Sequence, residues 1–106
     1  MKWRWMVTNE QNALISRTLA GYEVQVSPAG KWYVVTGDET KALPDYETDS
    51  TETLSTAEAI CNSRAWILEV GRGVGHYWAV VNRSFYATKT ITSALAHCLL
   101  QIAEGE

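Results

Sequence analysis

Two cysteines and two histidines are the side chains of this sequence best suited to metal binding or nucleophilic catalysis, yet their spacing favours neither. Zinc sites usually take ligands from close pairs such as C-x2-C, and Cys61 and Cys98 lie far apart. His97 and Cys98 are neighbours on a predicted helix, where adjacent side chains diverge by about 100°. A reactive thiol needs a polar, electropositive setting, whereas both cysteines have apolar neighbours. We expect buried, reduced cysteines, no metal site, no cofactor and no enzymatic activity.

A glycine-rich run, Gly71–Gly75, resembles a phosphate-binding loop in composition. Such loops work because a helix N-terminus follows directly and its amide groups face the phosphate. Here the pattern after the run is that of a strand, His76–Asn82. The run therefore predicts a hairpin tip instead of a nucleotide site.

Three helices and two hairpins must position these residues. Leu14, Ile15 and Leu19 give the first helix an apolar face, and Gly21 ends it. The second helix presents Leu54, Ala57, Ile60 and Cys61, and the third presents Leu95, Cys98, Leu99 and Ile102. The predicted caps are Thr8 or Asn9 for the first, Asp49 with Glu52 as its capping-box partner for the second, and Thr90 or Thr92 for the third.

Alternating or β-branched segments predict four strands: Tyr22–Val26, Trp32–Thr36, Trp66–Val70 and His76–Asn82. Residues 37–49 read as a crossover loop. Ser84–Ala87 extends the sheet beyond a bulge at Asn82–Arg83. Most of the tryptophans are expected between sheet and helices.

The chain of 106 residues has the length of one domain, and its 46% apolar content excludes intrinsic disorder. The order α-β-β-α-β-β-α predicts an α+β fold, in which an antiparallel sheet of about four strands packs with three helices. Residues 1–7 form an aromatic leader, with a short strand as the alternative. Two interpretations of Trp3 and Trp5 stay open: packing against the core or a sheet edge, or an anchor for a binding partner. No apolar run approaches the ~20 residues of a membrane span.

Charge is unevenly distributed along the chain, whose net charge is −3. The segment from Gly37 to Glu58 is strongly acidic, and two interpretations stay open: a solvated loop and helix start, or an acidic face that attracts a basic partner. The candidate partner-binding residues are Asp38, Glu39, Asp45, Glu47, Asp49 and Glu52.

The region from Arg64 to Lys89 is basic and offers an alternative function. A nucleic-acid-binding module would use the second hairpin, with Arg72, Arg83, Tyr77 and Lys89 as its contacts. An exposed strand edge, either the leader or Ser84–Ala87, also leaves a homodimer open.

Three segments resemble the phage "ABA sandwich" domain, a family of small phage proteins. They are Asn12–Gly21, Pro44–Asp49, and Thr90–Thr92 followed by Leu95–Cys98. Glu47, Ser50, Leu54 and Leu99 depart from the family pattern. The resemblance implies phage or prophage origin and an α+β fold, and it transfers no catalytic residue.

The expected function is therefore that of a non-enzymatic phage or mobile-element protein in the host cytoplasm. It would bind a host or phage protein through the acidic face, and blocking a host defence complex is the specific hypothesis.

Overall fold

The computed structural model describes residues 7–106, so the leader with Trp3 and Trp5 lies outside the described residues. The chain forms three helices and two three-stranded antiparallel sheets, ordered β1-β2-β3 and β4-β5-β6. The elements are α1 (Asn9–Thr18), β1 (Glu23–Val26), β2 (Trp32–Thr36), β3 (Glu39–Ala42), α2 (Ser50–Arg64), β4 (Leu68–Gly73), β5 (His76–Val81), β6 (Ser84–Thr88) and α3 (Ile91–Glu104). The predicted α+β class is confirmed. The prediction of one sheet of about four strands is wrong, because each hairpin gains a third strand and the two sheets stay separate.

The added strand of the first sheet, β3, lies within the segment predicted to be a loop. Its four residues are all exposed, so they show none of the alternating hydrophobicity that reveals a strand. Pairing with β2 holds it in place, with Thr36 opposite Glu39. The connecting turn is only Gly37 and Asp38, and Gly37 has a φ of +66° that other residues rarely adopt.

The added strand of the second sheet, β6, follows a tight turn and not the predicted bulge. Asn82 takes a left-handed conformation with φ of +57°, which asparagine tolerates better than most residues. Val81 then pairs with Ser84, and Tyr77 with Thr88 at the far end.

Side-chain caps begin all three helices where the sequence predicts them. The Thr8 hydroxyl accepts from the Gln11 amide, and the Gln11 side chain accepts from the Thr8 amide. Asp49 accepts from the Glu52 amide at 3.0 Å, and Thr90 caps α3 in the same way. These bonds satisfy amide groups that the first helical turn leaves without partners.

Helix α3 occupies the centre of the core. One side packs on the inner face of β5, where Ala79 and Val81 are fully buried, and the other side meets α1 and α2. Leu95, Cys98 and Leu99 are buried as predicted. On α2 the prediction for Leu54 is wrong: Leu54 is 44% exposed. Thr53 and Thr56 are buried on that helix in its place.

The loop before α2 is tied into the core by Tyr46, which is fully buried. Its hydroxyl lies 2.9 Å from the Ser16 hydroxyl on α1. Its amide donates to Asn12 Oδ1 at 3.1 Å, and its carbonyl accepts from the Thr53 hydroxyl. Buried polar atoms need such partners because water cannot reach them. Across residues 7–106, no helix combines the length and the hydropathy needed to cross a bilayer.

Candidate functional site

The acidic residues proposed as one partner-binding face occupy different structural settings. Glu52 accepts hydrogen bonds from the Tyr22 hydroxyl at 2.6 Å and from the Lys41 ammonium group at 2.8 Å. Burial alone would raise the pKa of Glu52, but these two donors outweigh it and lower the pKa. The second half of the predicted capping box is therefore wrong, since the Glu52 carboxylate joins α2 to the first sheet.

Glu47, Asp45 and Asp49 also make intramolecular hydrogen bonds. Glu47 accepts from the Val7 amide at 2.9 Å and from the Ser93 hydroxyl at 3.1 Å. Asp45 accepts from the Glu47 amide at 3.2 Å and from the Thr48 hydroxyl at 3.1 Å. With Asp49 capping α2, these carboxylates have structural roles in the described part of the chain.

Asp38 and Glu39 differ from the other four acidic residues. Both are exposed at the turn between β2 and β3, and the structure assigns them no side-chain hydrogen bond within residues 7–106. They are the members of the predicted set whose carboxylates remain available for a partner.

The residues proposed for nucleic-acid binding divide between the two ends of the second sheet. The Arg72 guanidinium lies 6.0 Å from the centre of the Tyr77 ring, and Lys89 follows Thr88, which pairs with Tyr77. Arg83 lies in the turn at the other end of β5. Six residues of strand span roughly 20 Å. The Arg72 guanidinium and the Tyr77 ring therefore lie close together, Lys89 lies at the same end of the sheet, and Arg83 lies at the other end.

An apolar surface covers the outer side of the second sheet, opposite α3. Side chains alternate along β5, so that Ala79 and Val81 face the core while Trp78 and Val80 face outwards. Phe85 is 58% exposed and its ring stacks on Trp78, with centroids 6.3 Å apart. We call this surface the Trp78 face. Its apolar side chains are those of Ile67, Trp78, Val80, Phe85 and Ala87, and strand pairing places Gly71, Gly73 and Glu69 on the same side of the sheet.

Two glycines of the predicted hairpin tip belong to this face. Gly71 and Gly73 are strand residues of β4, paired with Trp78 and His76. The actual turn is Val74 and Gly75, and β5 follows it. The predicted hairpin is thus confirmed, with a shorter tip than predicted. The prediction that most tryptophans pack between sheet and helices does not hold for Trp78, whose side chain faces outwards. A glycine opposite a tryptophan on paired strands, as Gly71 is here, is a sequence signal that indicates this arrangement.

A cavity of about 610 Å³ opens at the end of the second sheet nearest to α3's first turn. Both histidines line it, together with Glu47, Lys89 and Ser93. His97 Nδ1 lies 2.8 Å from the Ser93 carbonyl oxygen, and His76 Nδ1 lies 3.0 Å from that of Val74. The ring of His97 also contacts Tyr86, with centroids 5.6 Å apart.

The cysteines lie apart from this cavity. Both are buried and unpaired, as predicted. The Cys98 Sγ atom lies 3.4 Å from the carbonyl oxygens of both Ala79 and Ser84, and these two acceptors share its single S–H donor. Burial raises the pKa of Cys98 to about 11 and also raises that of Cys61, so neither is an activated nucleophile. Residues 7–106 contain no group of three or more histidine, cysteine or acidic side chains arranged to hold a metal ion.

Comparison with known proteins gives no match to a family model, to a curated protein or to a solved structure.

Proposed function

We propose that this protein acts by binding another protein through the Trp78 face and does not catalyse a reaction. The observation that carries the proposal is the apolar outer side of the second sheet, where Phe85 is 58% exposed and Ile67 is 63% exposed. Apolar surface of this kind is costly to leave in water and commonly marks an interaction site. Stacked aromatic side chains at its centre are typical of interface centres.

The charges at the ends of the Trp78 face indicate the chemistry of the partner. Arg83 lies in the turn beside Val80 and Phe85, and Lys89 lies just beyond Ala87. Neither forms an ion pair within the described residues. A partner surface with an apolar centre and carboxylates at its edges would complement the Trp78 face. Its carboxylates would pair with the two cations, and these pairs would fix the orientation of the partner.

Nucleic-acid binding is a weaker interpretation of the same surface. Exposed aromatic rings on a sheet can stack with bases, but binding also needs cations along the path of the backbone. Arg72 pairs with Tyr77 on β5, so strand alternation places its side chain on the opposite side from Trp78. The face itself carries the Glu69 carboxylate, which would repel phosphate.

The biological setting proposed here is that of a phage or other mobile element, with a host or phage protein as the partner. It rests on the resemblance of the Pro44–Asp49 and Leu95–Cys98 motifs to the phage family. Inhibition of a host defence complex stays the specific hypothesis within it. Asp38 and Glu39 would then contribute long-range attraction to a basic region of the partner.

The test compares three immobilised versions of the chain: the wild type, Phe85→Ser and Val26→Ser. Val26 is a matched control because it is 50% exposed on a strand of the other sheet. We expect a protein from source-cell lysate to bind the wild type and the Val26 variant and to be lost from the Phe85 variant. Calorimetry with that purified protein should show a loss of at least about tenfold in affinity for Phe85→Ser.

Equal capture by all three versions would exclude the Trp78 face as the binding site. Captured material that disappears after nuclease treatment, and whose binding falls steeply with salt, would replace the protein partner with nucleic acid. Thermal unfolding of each variant establishes that the comparison is made between folded proteins.

A further inference from the structure

We propose that two copies of this chain pair along β4, antiparallel and about a two-fold axis at Val70, so that their second sheets join into one. The second sheet has the order β4-β5-β6, so β4 has a free edge within residues 7–106. Val70 lies in the middle of this edge and is 45% exposed. Free strand edges are templates for pairing with a further strand. The proposal does not depend on a partner at the Trp78 face.

The pairing of β4 with β5 determines which backbone groups face outwards. The Asn82 amide donates to the Ile67 carbonyl oxygen at 2.8 Å. In an antiparallel pair, hydrogen-bonded positions recur at every second residue, so the odd-numbered residues of β4 bond to β5. The backbone N–H and C=O groups of the even-numbered residues point away from the sheet, and these residues are Leu68, Val70 and Arg72.

The three outward-facing residues form a set that matches its own copy. In an antiparallel pair centred on Val70, this residue lies opposite Val70 of the second copy, and Leu68 lies opposite Arg72. Each of these pairs exchanges two backbone hydrogen bonds, so every outward-facing N–H and C=O group of the three residues gains a partner. The two Val70 side chains lie beside each other at the axis, and their contact removes apolar surface from water.

The charged side chains of β4 are compatible with this register. Charges on an edge strand usually prevent pairing between copies, because like charges directly opposite each other destabilise a sheet. Here Arg72 lies opposite Leu68 of the second copy, and Glu69 lies opposite Gly71. Neither charge therefore meets a like charge across the new strand pair.

The Glu69 carboxylate also gains a hydrogen-bond donor from the second copy. The indole Nε1 of Trp78 lies 2.8 Å from the position that a Cβ atom of Gly71 would take, and the structure assigns this N–H no acceptor within residues 7–106. Opposite residues have Cβ positions about 4.5–5.5 Å apart, which is within the reach of a glutamate side chain. Two equivalent bonds from Trp78 to Glu69, one on each side of the axis, thus join the copies.

The free edge of β6 does not match its own copy in this way. Its outward-facing backbone groups are those of Phe85 and Ala87, because Tyr86 between them bonds to β5. An antiparallel pair that joins Phe85 to Ala87 of the second copy brings Arg83 close to Lys89 at each end. These like charges oppose pairing, so β4 is the edge that favours a dimer.

The experiment measures the molar mass of the full chain by sedimentation equilibrium from about 5 μM to about 500 μM, a range that detects dimers of micromolar stability. Hydrogen exchange and NMR spectra are recorded at both ends of this range. We expect a dimer at high concentration, with slower exchange of the Leu68, Val70 and Arg72 amides and a shift of the Trp78 indole N–H signal. The amide of Ala87, on the β6 edge, should exchange equally fast at both concentrations.

Val70→Lys and Ala87→Lys are matched variants, one on each edge of the second sheet and both at exposed positions. Val70→Lys places two like charges at the axis and should raise the Kd of the dimer at least about tenfold. Ala87→Lys should change this Kd by less than about twofold. Glu69→Lys should also weaken the dimer, because it replaces the acceptor for the indole N–H with a donor. Thermal unfolding at low concentration establishes that each variant is folded.

A chain that stays monomeric over the whole concentration range would overturn the proposal. A dimer that Val70→Lys leaves intact, or one that slows exchange on β6 and not on β4, would overturn it as well. Phe85→Ser should leave the dimer unchanged, since Phe85 lies on the other edge of the sheet. The failure of β4 pairing and the failure of the Trp78 face as a binding site therefore give different results.

Discussion

The indole of Trp78 lies directly over Gly71 on the neighbouring strand. A Cβ atom at Gly71 would clash with Cζ2 and Cε2 of the indole, so the tryptophan occupies the space left by the missing side chain. The two residues pair across β4 and β5. This packing keeps Trp78 half-buried while it still faces outwards, and Phe85 stacks on its exposed part.

Gly71→Ala should therefore displace Trp78 and destabilise the fold. We expect a loss of roughly 1–3 kcal/mol, typical of overpacking, measured by urea unfolding, with a red shift of tryptophan emission. Gly105→Ala is the matched control, because a Cβ there would meet atoms no closer than 3.6 Å. Equal stability of the two variants would contradict the close packing of Trp78 on Gly71.

The Tyr46–Ser16 hydrogen bond should be measurable as a coupling energy. Tyr46→Phe leaves the buried Ser16 hydroxyl without its 2.9 Å partner, which should cost about 1–2 kcal/mol. Adding Ser16→Ala removes the orphaned group, so the double variant should lose less than the sum of the single variants. Strict additivity in chemical unfolding would show that the two hydroxyls do not interact.

We expect the acidic residues to fall into two groups: those whose carboxylates stabilise the fold and those whose carboxylates are available to bind a partner. Glu52→Gln weakens the bonds to Lys41 and Tyr22 and should reduce stability at pH 7 by about 1 kcal/mol. Because the pKa of Glu52 is lowered in the fold, its contribution is present above its ordinary pKa of 4.5 and is lost as the pH falls. Asp38→Asn with Glu39→Gln is the control, and a melting temperature as low as that of Glu52→Gln would refute this division.

Alkaline pH should destabilise the protein through Cys98 and Tyr46. Burial raises the pKa of Cys98 from 9.0 to about 11 and that of Tyr46 from 10.0 to about 12. Above pH 9 the unfolded chain therefore loses protons that the folded chain retains. The contribution of Cys98 is complete below pH 9 and lost by about pH 11, a change of roughly 2–3 kcal/mol.

The measurement is the free energy of unfolding of the wild type and Cys98→Ala between pH 8.5 and 11. The difference between the two proteins should shrink as the pH rises, because the variant lacks one of the two titrating groups. A difference that stays constant over this range would mean that Cys98 ionises at the same pH in both states.

Local signals in the sequence are sufficient to predict where the helices begin. Thr8, Asp49 and Thr90 cap them because a hydroxyl or carboxylate reaches an amide two or three residues away, whatever the rest of the chain does. The apolar face of α3 was equally readable from Leu95, Cys98 and Leu99. Leu54 was misjudged because apolar spacing alone cannot show that Thr53 hydrogen-bonds Tyr46 and takes the buried position.

The strands were less predictable where their stability comes from pairing. Glu39–Ala42 has no apolar alternation, and β2 alone makes it a strand. The Asn82–Arg83 turn looked like a bulge because its left-handed conformation depends on the closure of β5 onto β6. The separation of the two sheets depends on how the helices pack, which no single segment encodes.

The sequence by itself determined what short-range physics decides: an α+β chain, capped helices, two hairpin signals, buried cysteines and an uneven distribution of charge. Only the tertiary structure decided which side chains meet. In the folded chain, Glu47 and Glu52 form intramolecular hydrogen bonds. Trp78 and Phe85 stack on the exposed Trp78 face, and His76 and His97 both line one cavity. Such contacts join residues far apart in the chain, and their energies depend on distances and burial that exist only once the elements have packed.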